Sequence, residues 1–266
     1  MKITVFTSNQ PRHTRFIELL TGVADEVFAV QECATIFPGR GTGSYRRTEV
    51  MDRYFKNVLA AERTVFGSPG FESSTALRFL VQKGDLSLVE PSDLGPAVGA
   101  DIFIVFGASF IKPPLVDFLV DRRAINIHMG TSPYYRGDSC NFWALYDERP
   151  DYVGATIHLL SKGLDSGPML FHAFPASEEV DAFTLGMKSV AAAQNALVQE
   201  ISHGTLFDHV PAIQDRSLEY RYARRADFTD EVAEQYMNRV LDPESIKEAL
   251  DQRDTAQFLR PIIASA

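Results

Sequence analysis

Two cysteines in 266 residues, Cys33 and Cys140, are too few for a disulfide framework or a cysteine-rich metal site. Both are read as reduced thiols. No run free of charged side chains exceeds about a dozen residues, against the ~20 that a membrane-spanning helix needs. The opening MKITVFTSNQ lacks the longer apolar stretch of a secretory signal. Together these features lead us to expect a cytoplasmic protein without a membrane segment. Positive charge is also in short supply: 26 Lys and Arg stand against 35 Asp and Glu, a net charge of −9. Nucleic-acid affinity rests on Lys and Arg neutralising phosphates, so this balance argues against a nucleic-acid partner. Arg46-Arg47, Arg122-Arg123 and Arg221–Arg225 are short basic clusters, none a long stripe. The G-x-G-x-x-G fingerprint is missing, so no dinucleotide cofactor is indicated. His158 and His172 lie on expected strands without metal-ligand spacing, and no metal is expected.

The chain does contain an ordinary globular composition, 45% apolar and 23% charged. Strands and helices alternate along it. Lys2–Phe6 and Glu26–Val30 read as strands, and Arg15–Leu20 as a helix with Phe16, Leu19 and Leu20 on one face. Glu49–Glu62 reads as helix, Thr64–Phe66 as a short strand and Ser74–Lys83 as helix. DIFIVF (101–106) is a continuous apolar run of the kind a parallel strand covered on both faces shows. Pro113–Val120 is the expected crossover helix. Residues 184–203 form a helix whose Val190, Ala193, Leu197, Val198 and Ile201 face the sheet, with Gly204 as its stop. Asp242-Pro243 starts another helix, an N-cap followed by proline. Met237, Val240, Leu241, Ile246 and Leu250 would cover either a core or a dimer face, which leaves a homodimer open. The pattern predicts an α/β fold: a doubly wound, mostly parallel, Rossmann-like sheet over 1–204, with a short C-terminal extension over 205–266 for packing or dimerisation.

The loop after the first strand, TSNQPRHT (7–14), leads into a helix amino terminus, a place suited to phosphate. Ser8, Asn9 and Arg12 are therefore candidate substrate-binding residues, against the alternative of a simple helix cap. Residues 36–48, IFPGRGTGSYRRT, read as a Gly-rich basic loop that either closes over a phosphate or is a surface excursion.

The densest chemistry lies in AINIHMGTSPYYRG (124–137) and GLDSGP (163–168). Ile125, Ile127 and Met129 alternate with Asn126 and His128, so the segment reads as a strand. Its period of two puts Asn126 and His128 on one face, roughly 7 Å apart. The Gly/Ser/Pro cluster that follows places both near the carboxyl end of the strand, where ligands bind in open parallel sheets. GLDSGP is a tight turn between the apolar stretches ATIHLL (155–160) and MLFHAF (169–174). An amide, an imidazole and the Asp165 carboxylate can thus meet one small electrophile.

In this order and spacing, VFGASFIKP (105–113), NIH, SPYYRG (132–137) and GATIHLLSKGLDSGPML (154–170) resemble the folate-dependent formyltransferases, most closely the bacterial sugar N-formyltransferases, with the GDP-perosamine type as the nearest guess. The resemblance implies Asn126, His128 and Asp165 as the catalytic trio and N10-formyltetrahydrofolate as formyl donor. It implies that the pterin enters beneath Ala108–Lys112 and the loop Ser161–Asp165, with Ala108, Phe110, Ile111, Gly163, Leu164 and Asp165 as cofactor-binding residues. Tyr135 and Arg136 would stand beside the reacting carbon, Arg136 positioned for a substrate phosphate or a surface salt bridge.

A primary amine attacking the formyl carbon passes through an oxyanion that Asn126 and a protonated His128 can stabilise, Asp165 orienting the imidazole. The implied acceptor is a nucleotide-linked amino sugar of surface-polysaccharide (O-antigen, lipopolysaccharide) biosynthesis. SLEYRYARRADFTDE (217–231) resembles the tyrosine- and arginine-containing segment that follows the catalytic domain in those enzymes. Glycinamide ribonucleotide formylation and formyltetrahydrofolate hydrolysis are the alternative reactions, and a folate- or nucleotide-sensing module the non-catalytic one. A tRNA acceptor is disfavoured by the acidic stretches Asp227–Glu234 and Asp242–Glu248 after the long helix.

Overall fold

The computed structural model describes residues 1–35 and 48–265; the Gly-rich loop expected over 36–48 falls almost wholly outside them. Strands β1 (Lys2–Ser8) and β2 (Glu26–Cys33) are joined by helix α1 (Pro11–Thr21). Helix α2 (Glu49–Phe66) leads to β3 (Leu77–Gln82). Then come β4 (Ile102–Val105), α3 (Leu115–Asp121) and β5 (Ile125–His128). A short β6 (Tyr135–Gly137) and α4 (Cys140–Tyr146) precede the hairpin of β7 (Ala155–Leu159) and β8 (Met169–Pro175). Helix α5 (Ala182–His203), β9 (Arg221–Ala223), α6 (Asp230–Asn238), α7 (Pro243–Asp251) and β10 (Ile262–Ala264) complete the order.

The eight-stranded sheet runs β10-β8-β7-β5-β4-β1-β2-β3. Its pairings are parallel except those of β7 with β5 and with β8. The chain grows outward from β1 through β2 to β3, then returns to the other side of β1 with β4 and β5. Such a reversal opens a crevice at the carboxyl ends of the strands. Alternation fills both faces. Ile3, Val5, Ile104, Ile125 and Ile127 pack with Phe16, Ile17 and Leu20 of α1 and with Val190, Ala193, Leu197 and Ile201 of α5. Phe6, Phe28, Phe103 and Val105 pack on the opposite face with Leu115 and Leu119 of α3. The doubly wound, mostly parallel α/β architecture is the one the sequence pattern predicts.

Two local expectations are overturned. Ser74–Lys83 is not a helix: Leu77–Gln82 adds to β2 as a parallel edge strand, pairing Phe28 with Leu77 through Cys33 with Gln82. Ladder pairing along the sheet edge outweighs local helix preference there. Thr64–Phe66 is not a strand but the last turn of α2, which ends at Gly67 (φ 81).

The expected caps form at Asp242, which accepts from the backbone N–H of Ser245, and at Gly204 (φ 72) after α5. Asp181, unremarked in the sequence, caps α5 by accepting from Phe183 and Thr184 N–H. Residues after 204 are woven through the molecule. β10 extends the main sheet beside β8, β9 pairs with β6, and Ile246, Leu250 and Tyr236 enter an aromatic cluster with Tyr54, Phe142 and Phe228.

Candidate active site

On β5, Ile125 and Ile127 turn into the core beneath α1 and α5, so Asn126 and His128 share the opposite face. The antiparallel register of β7 then sets His158 directly across from Asn126 and Thr156 across from His128. Thr156 Oγ1 donates to Gly130 O (2.7 Å) and accepts from Ser132 N–H (2.8 Å), tying down the loop after β5. His172 accepts at Nδ1 from Leu259 N–H (3.0 Å), so its Nε2–H donates to Ser132 O (2.7 Å). Burial lowers the His172 pKa and holds the ring neutral in that tether.

The turn after β7 delivers Asp165 to this face. Gly167 lies flush against β7, where a Cβ would stand 1.7 Å from Leu159 O, so only glycine fits. Asp165 itself takes a left-handed backbone (φ 44), a conformation Asp tolerates better than most residues. Gln214 clamps the turn, its Nε2 donating to the carbonyls of Asp165 (2.8 Å) and Gly167 (3.0 Å).

Asn126, His128 and Asp165 do converge. Asn126 Nδ2 donates to Asp165 Oδ1 (3.0 Å), and His128 Nδ1 lies 3.2 Å from Asp165 Oδ2. Two further side chains, read in the sequence as structural, complete the group. His158 Nδ1 faces Leu159 O at 2.8 Å and must carry the proton there, because a carbonyl only accepts. Its Nε2 therefore accepts from Asn126 Nδ2 at 2.9 Å. Both N–H bonds of the amide are thereby directed, one to each acceptor. Cys140 Sγ sits 3.4 Å from His128 Nε2 and donates to Gly137 O at 3.4 Å. The sequence places His158 on a strand, but carries no sign of the register that sets it against Asn126.

Charge is distributed accordingly. Burial opposes the imidazolium of His128, but the carboxylate of Asp165, aided by the Cys140 sulfur, raises its pKa well above the ordinary value. Burial would likewise push the Asp165 carboxyl up, yet the His128 imidazolium outweighs it and holds it far below the usual carboxylate range. The resting pair is imidazolium and carboxylate.

A cleft of about 440 Å³ opens beside Asp165, lined by Arg136, Gly137, Gly163, Leu164, Asp165, Ser166, Arg216, Glu219 and Tyr222. The parallel pairing of β6 with β9 brings the SPYYRG segment to the tyrosine/arginine segment. Arg136 bonds Glu219 (2.8 Å) and faces the ring of Tyr222 at 5.9 Å. Gly137 (φ 91) permits this approach, since a Cβ there would stand 2.0 Å from Ala223 O. Arg216 lies just before the segment singled out in the sequence and was missed.

The other expected site residues are placed as follows. Tyr135 is buried among aromatic rings, its hydroxyl donating to Asp147 (3.3 Å). Ser8 Oγ donates to Glu32 O (3.2 Å), and Asn9 exchanges two bonds with the backbone of Ala34 (2.9 and 3.0 Å). Arg12 pairs with the buried Glu62 at 2.6 Å and lines a second cleft of about 330 Å³, among Tyr54, Met129, Phe142 and Phe183. Ile111 is in the core, while Phe110 (56% exposed) and Leu164 (61% exposed) stand in solvent. Ala108 packs at the edge of the core in the loop after β4. Neither cleft includes Ala108, Phe110, Ile111, Ser8 or Asn9.

The crevice at the carboxyl ends of a doubly wound sheet, with an ionised imidazole–carboxylate pair at its rim, is the place where ligands bind in open α/β sheets. Residues 68–201, just over half of the sequence, match the family model described as formyl transferase, and the chain belongs to that family. A methionyl-tRNA formyltransferase of Synechococcus sp. (strain JA-3-3Ab) is 29% identical over 122 residues, 46% of this chain and 38% of the relative. The match thus spans less than two fifths of that relative's length.

Among solved structures, a sugar N-formyltransferase from Shewanella sp superposes with a TM-score of 0.51 at 17% identity, covering 86% of this chain and 78% of the other. An N-formyltransferase from Helicobacter canadensis, solved with folinic acid and dTDP-3-aminofucose, gives 0.50 at 13% identity, covering 88% and 79%. At these identities the likeness is one of fold.

Proposed function

We propose that this protein transfers a formyl group from N10-formyltetrahydrofolate to the primary amine of a nucleotide-linked amino sugar. Convergence of Asn126 and His128 on one ionised Asp165 at the rim of an arginine-lined cleft is the observation that carries the reading. The donor supplies an electrophilic formyl carbon when bound. The chain fits such a ligand. Phe110 and Leu164 expose large apolar surfaces on the two loops flanking the polar face, where a flat ring would cover them. Ala108, Ile111, Gly163 and Asp165 would frame the ring with backbone and wall.

Asn126 and His128 stabilise the oxygen on which negative charge develops. His158 and Asp165 fix the plane of the Asn126 amide at rest, and an N–H must exchange one of these acceptors for the oxyanion as charge develops. His128 begins protonated and Asp165 ionised, so neither is a free base in the resting state. The sequence leaves open which member of the trio handles the first proton; this ionisation has His128 act first as an acid. Its Nδ1–H is held by the carboxylate, which leaves the Nε2 proton as the one His128 gives up, to the departing donor nitrogen as that nitrogen's bond to the formyl carbon breaks. The neutralised ring then takes the proton of the attacking amine.

Arg136 and Arg216 give the cleft the donors a nucleotide diphosphate needs, and Tyr222 a ring against which a base or sugar packs. The excess of acidic residues speaks against tRNA as acceptor. A 4-amino-4,6-dideoxy sugar of surface-polysaccharide assembly, GDP-perosamine among them, is the acceptor class we favour, with the reaction taking place in the cytoplasm. Tetrahydrofolate release from formyltetrahydrofolate should require an amino-sugar nucleotide. Release with glycinamide ribonucleotide, or with no amine at all, would replace this reading by one of the alternative reactions.

A further inference from the structure

The reaction assigned to Asn126, His128 and Asp165 leaves one buried nucleophilic side chain unused. Cys140 is 1% exposed and opens α4 directly after Ser139, which turns the chain through a left-handed backbone (φ 58). That turn aims Sγ at the imidazole, 3.4 Å from Nε2, while the thiol hydrogen is directed to Gly137 O. A thiol has one hydrogen, so the sulfur lone pairs remain to accept from His128 Nε2–H. Asp165 holds the other ring nitrogen.

Gly130 closes the arrangement. A Cβ there would stand 2.4 Å from Cys140 Cβ and 2.9 Å from both Cys140 Sγ and His128 Nε2, so the backbone packs against the sulfur–imidazole contact itself.

We propose that Cys140 is a positioning residue of formyl transfer, its sulfur fixing the plane of the His128 ring and holding the Nε2 proton until the reacting group takes it. The proposal rests on the formyltransferase reading of the site. Two restraints on opposite nitrogens fix a ring that one carboxylate alone would leave free to swivel. Sulfur is a weak acceptor, so an oxyanion or a leaving nitrogen displaces it readily. A carboxylate at Nε2 would compete far more strongly for the same proton. The titratable groups around the ring are Asp165 from the turn after β7, Cys140 from α4 and, across the carboxylate, His158 on β7. Of the three, only Cys140 touches Nε2, and its contact adds to the rise in the His128 pKa.

The experiment compares wild type with Cys140→Ala, Cys140→Ser and, as a control on the exposed second thiol, Cys33→Ser. The His128 ring is followed by NMR titration of ¹⁵N-histidine-labelled protein without any substrate, and kcat and KM by tetrahydrofolate release. Cys140→Ala should lower the His128 pKa and reduce kcat roughly tenfold, the weight of one hydrogen bond, with KM for the donor unchanged. Cys140→Ser, which keeps an acceptor, should restore most of both, and Cys33→Ser should change neither. A His128 titration identical in wild type and Cys140→Ala, with an unchanged kcat, would reduce Cys140 to packing. Should Cys140→Ala not fold, Cys140→Ser decides alone: a His128 pKa about one pH unit or more below wild type, the weight of one hydrogen bond lost, overturns the proposal, and one closer to wild type supports it. Because the titration needs no turnover, its outcome stands apart from whether the assigned acceptor is correct.

Discussion

Replacing Asp165 by Asn removes the charge that holds His128 protonated while keeping the shape of the turn. At 3.2 Å and an effective dielectric of about 20, the two unit charges attract by about 5 kcal/mol. Because one pH unit on a pKa corresponds to about 1.4 kcal/mol, this interaction is worth up to about four pH units on the imidazole. Burial, the largest single influence on His128, then acts without its main opponent and drives the pKa below the ordinary histidine value. In wild type, activity should fall only as pH rises through the elevated His128 pKa. In Asp165→Asn it should already be falling below neutrality, with kcat at pH 7 down at least about a hundredfold.

Stability follows the same linkage. The raised His128 pKa contributes stability that is complete below the unfolded histidine value and lost as pH rises through the folded one. The depressed Asp165 pKa contributes stability that is present above the unfolded carboxyl value and lost as pH falls through the folded one. The Tm advantage of wild type over Asp165→Asn should therefore be greatest between about pH 4 and about pH 6.5, shrink below that window, and decline above it until it is lost at the elevated His128 pKa. NMR titration of His128 with melting curves across pH measures both. A His128 pKa unchanged by the substitution would refute the electrostatic reasoning.

Other consequences are equally specific. Asn126→Ala should lower kcat by about 10²–10³, the loss of an oxyanion donor, and tetrahydrofolate release under saturating substrates measures it. Arg136→Ala should raise KM for an amino-sugar nucleotide by roughly tenfold, the weight of one or two charge-assisted bonds, while leaving kcat and KM for the folate donor near wild type. Gly137→Ala should cost at least about 1–3 kcal/mol, since its Cβ would strike Ala223 O; a denaturant melt reads the loss, and nucleotide-sugar affinity should fall with it. Arg12→Met leaves Glu62 buried without its cation and should destabilise by about 3–5 kcal/mol, a larger effect than any on substrate affinity.

Much of the fold was legible because parallel strands covered on both faces announce themselves. DIFIVF became β4, the N-x-H alternation became β5, and the stripe from Val190 to Ile201 packs on the sheet as its spacing required. Ser74–Lys83 was misread because an edge strand with Leu77, Phe79 and Leu80 largely exposed shows no clean alternation. At the site, the trio was legible from two motifs. The placement of His158 and Cys140 beside them was not, since it comes from the antiparallel register of β7 and the left-handed turn at Ser139. Arg216 and Tyr222 reach the cleft only through the β6–β9 pairing, which nothing in the linear chain announces.

Formyltetrahydrofolate labelled with ¹³C in the formyl group provides the most direct test of the central claim. Incubated with the protein and an amino-sugar nucleotide, the label should appear as a formamide carbon on the sugar amine, and should fail to do so with folded His128→Ala or Asn126→Ala. Label found as free formate, or transferred undiminished by either variant, would contradict the account.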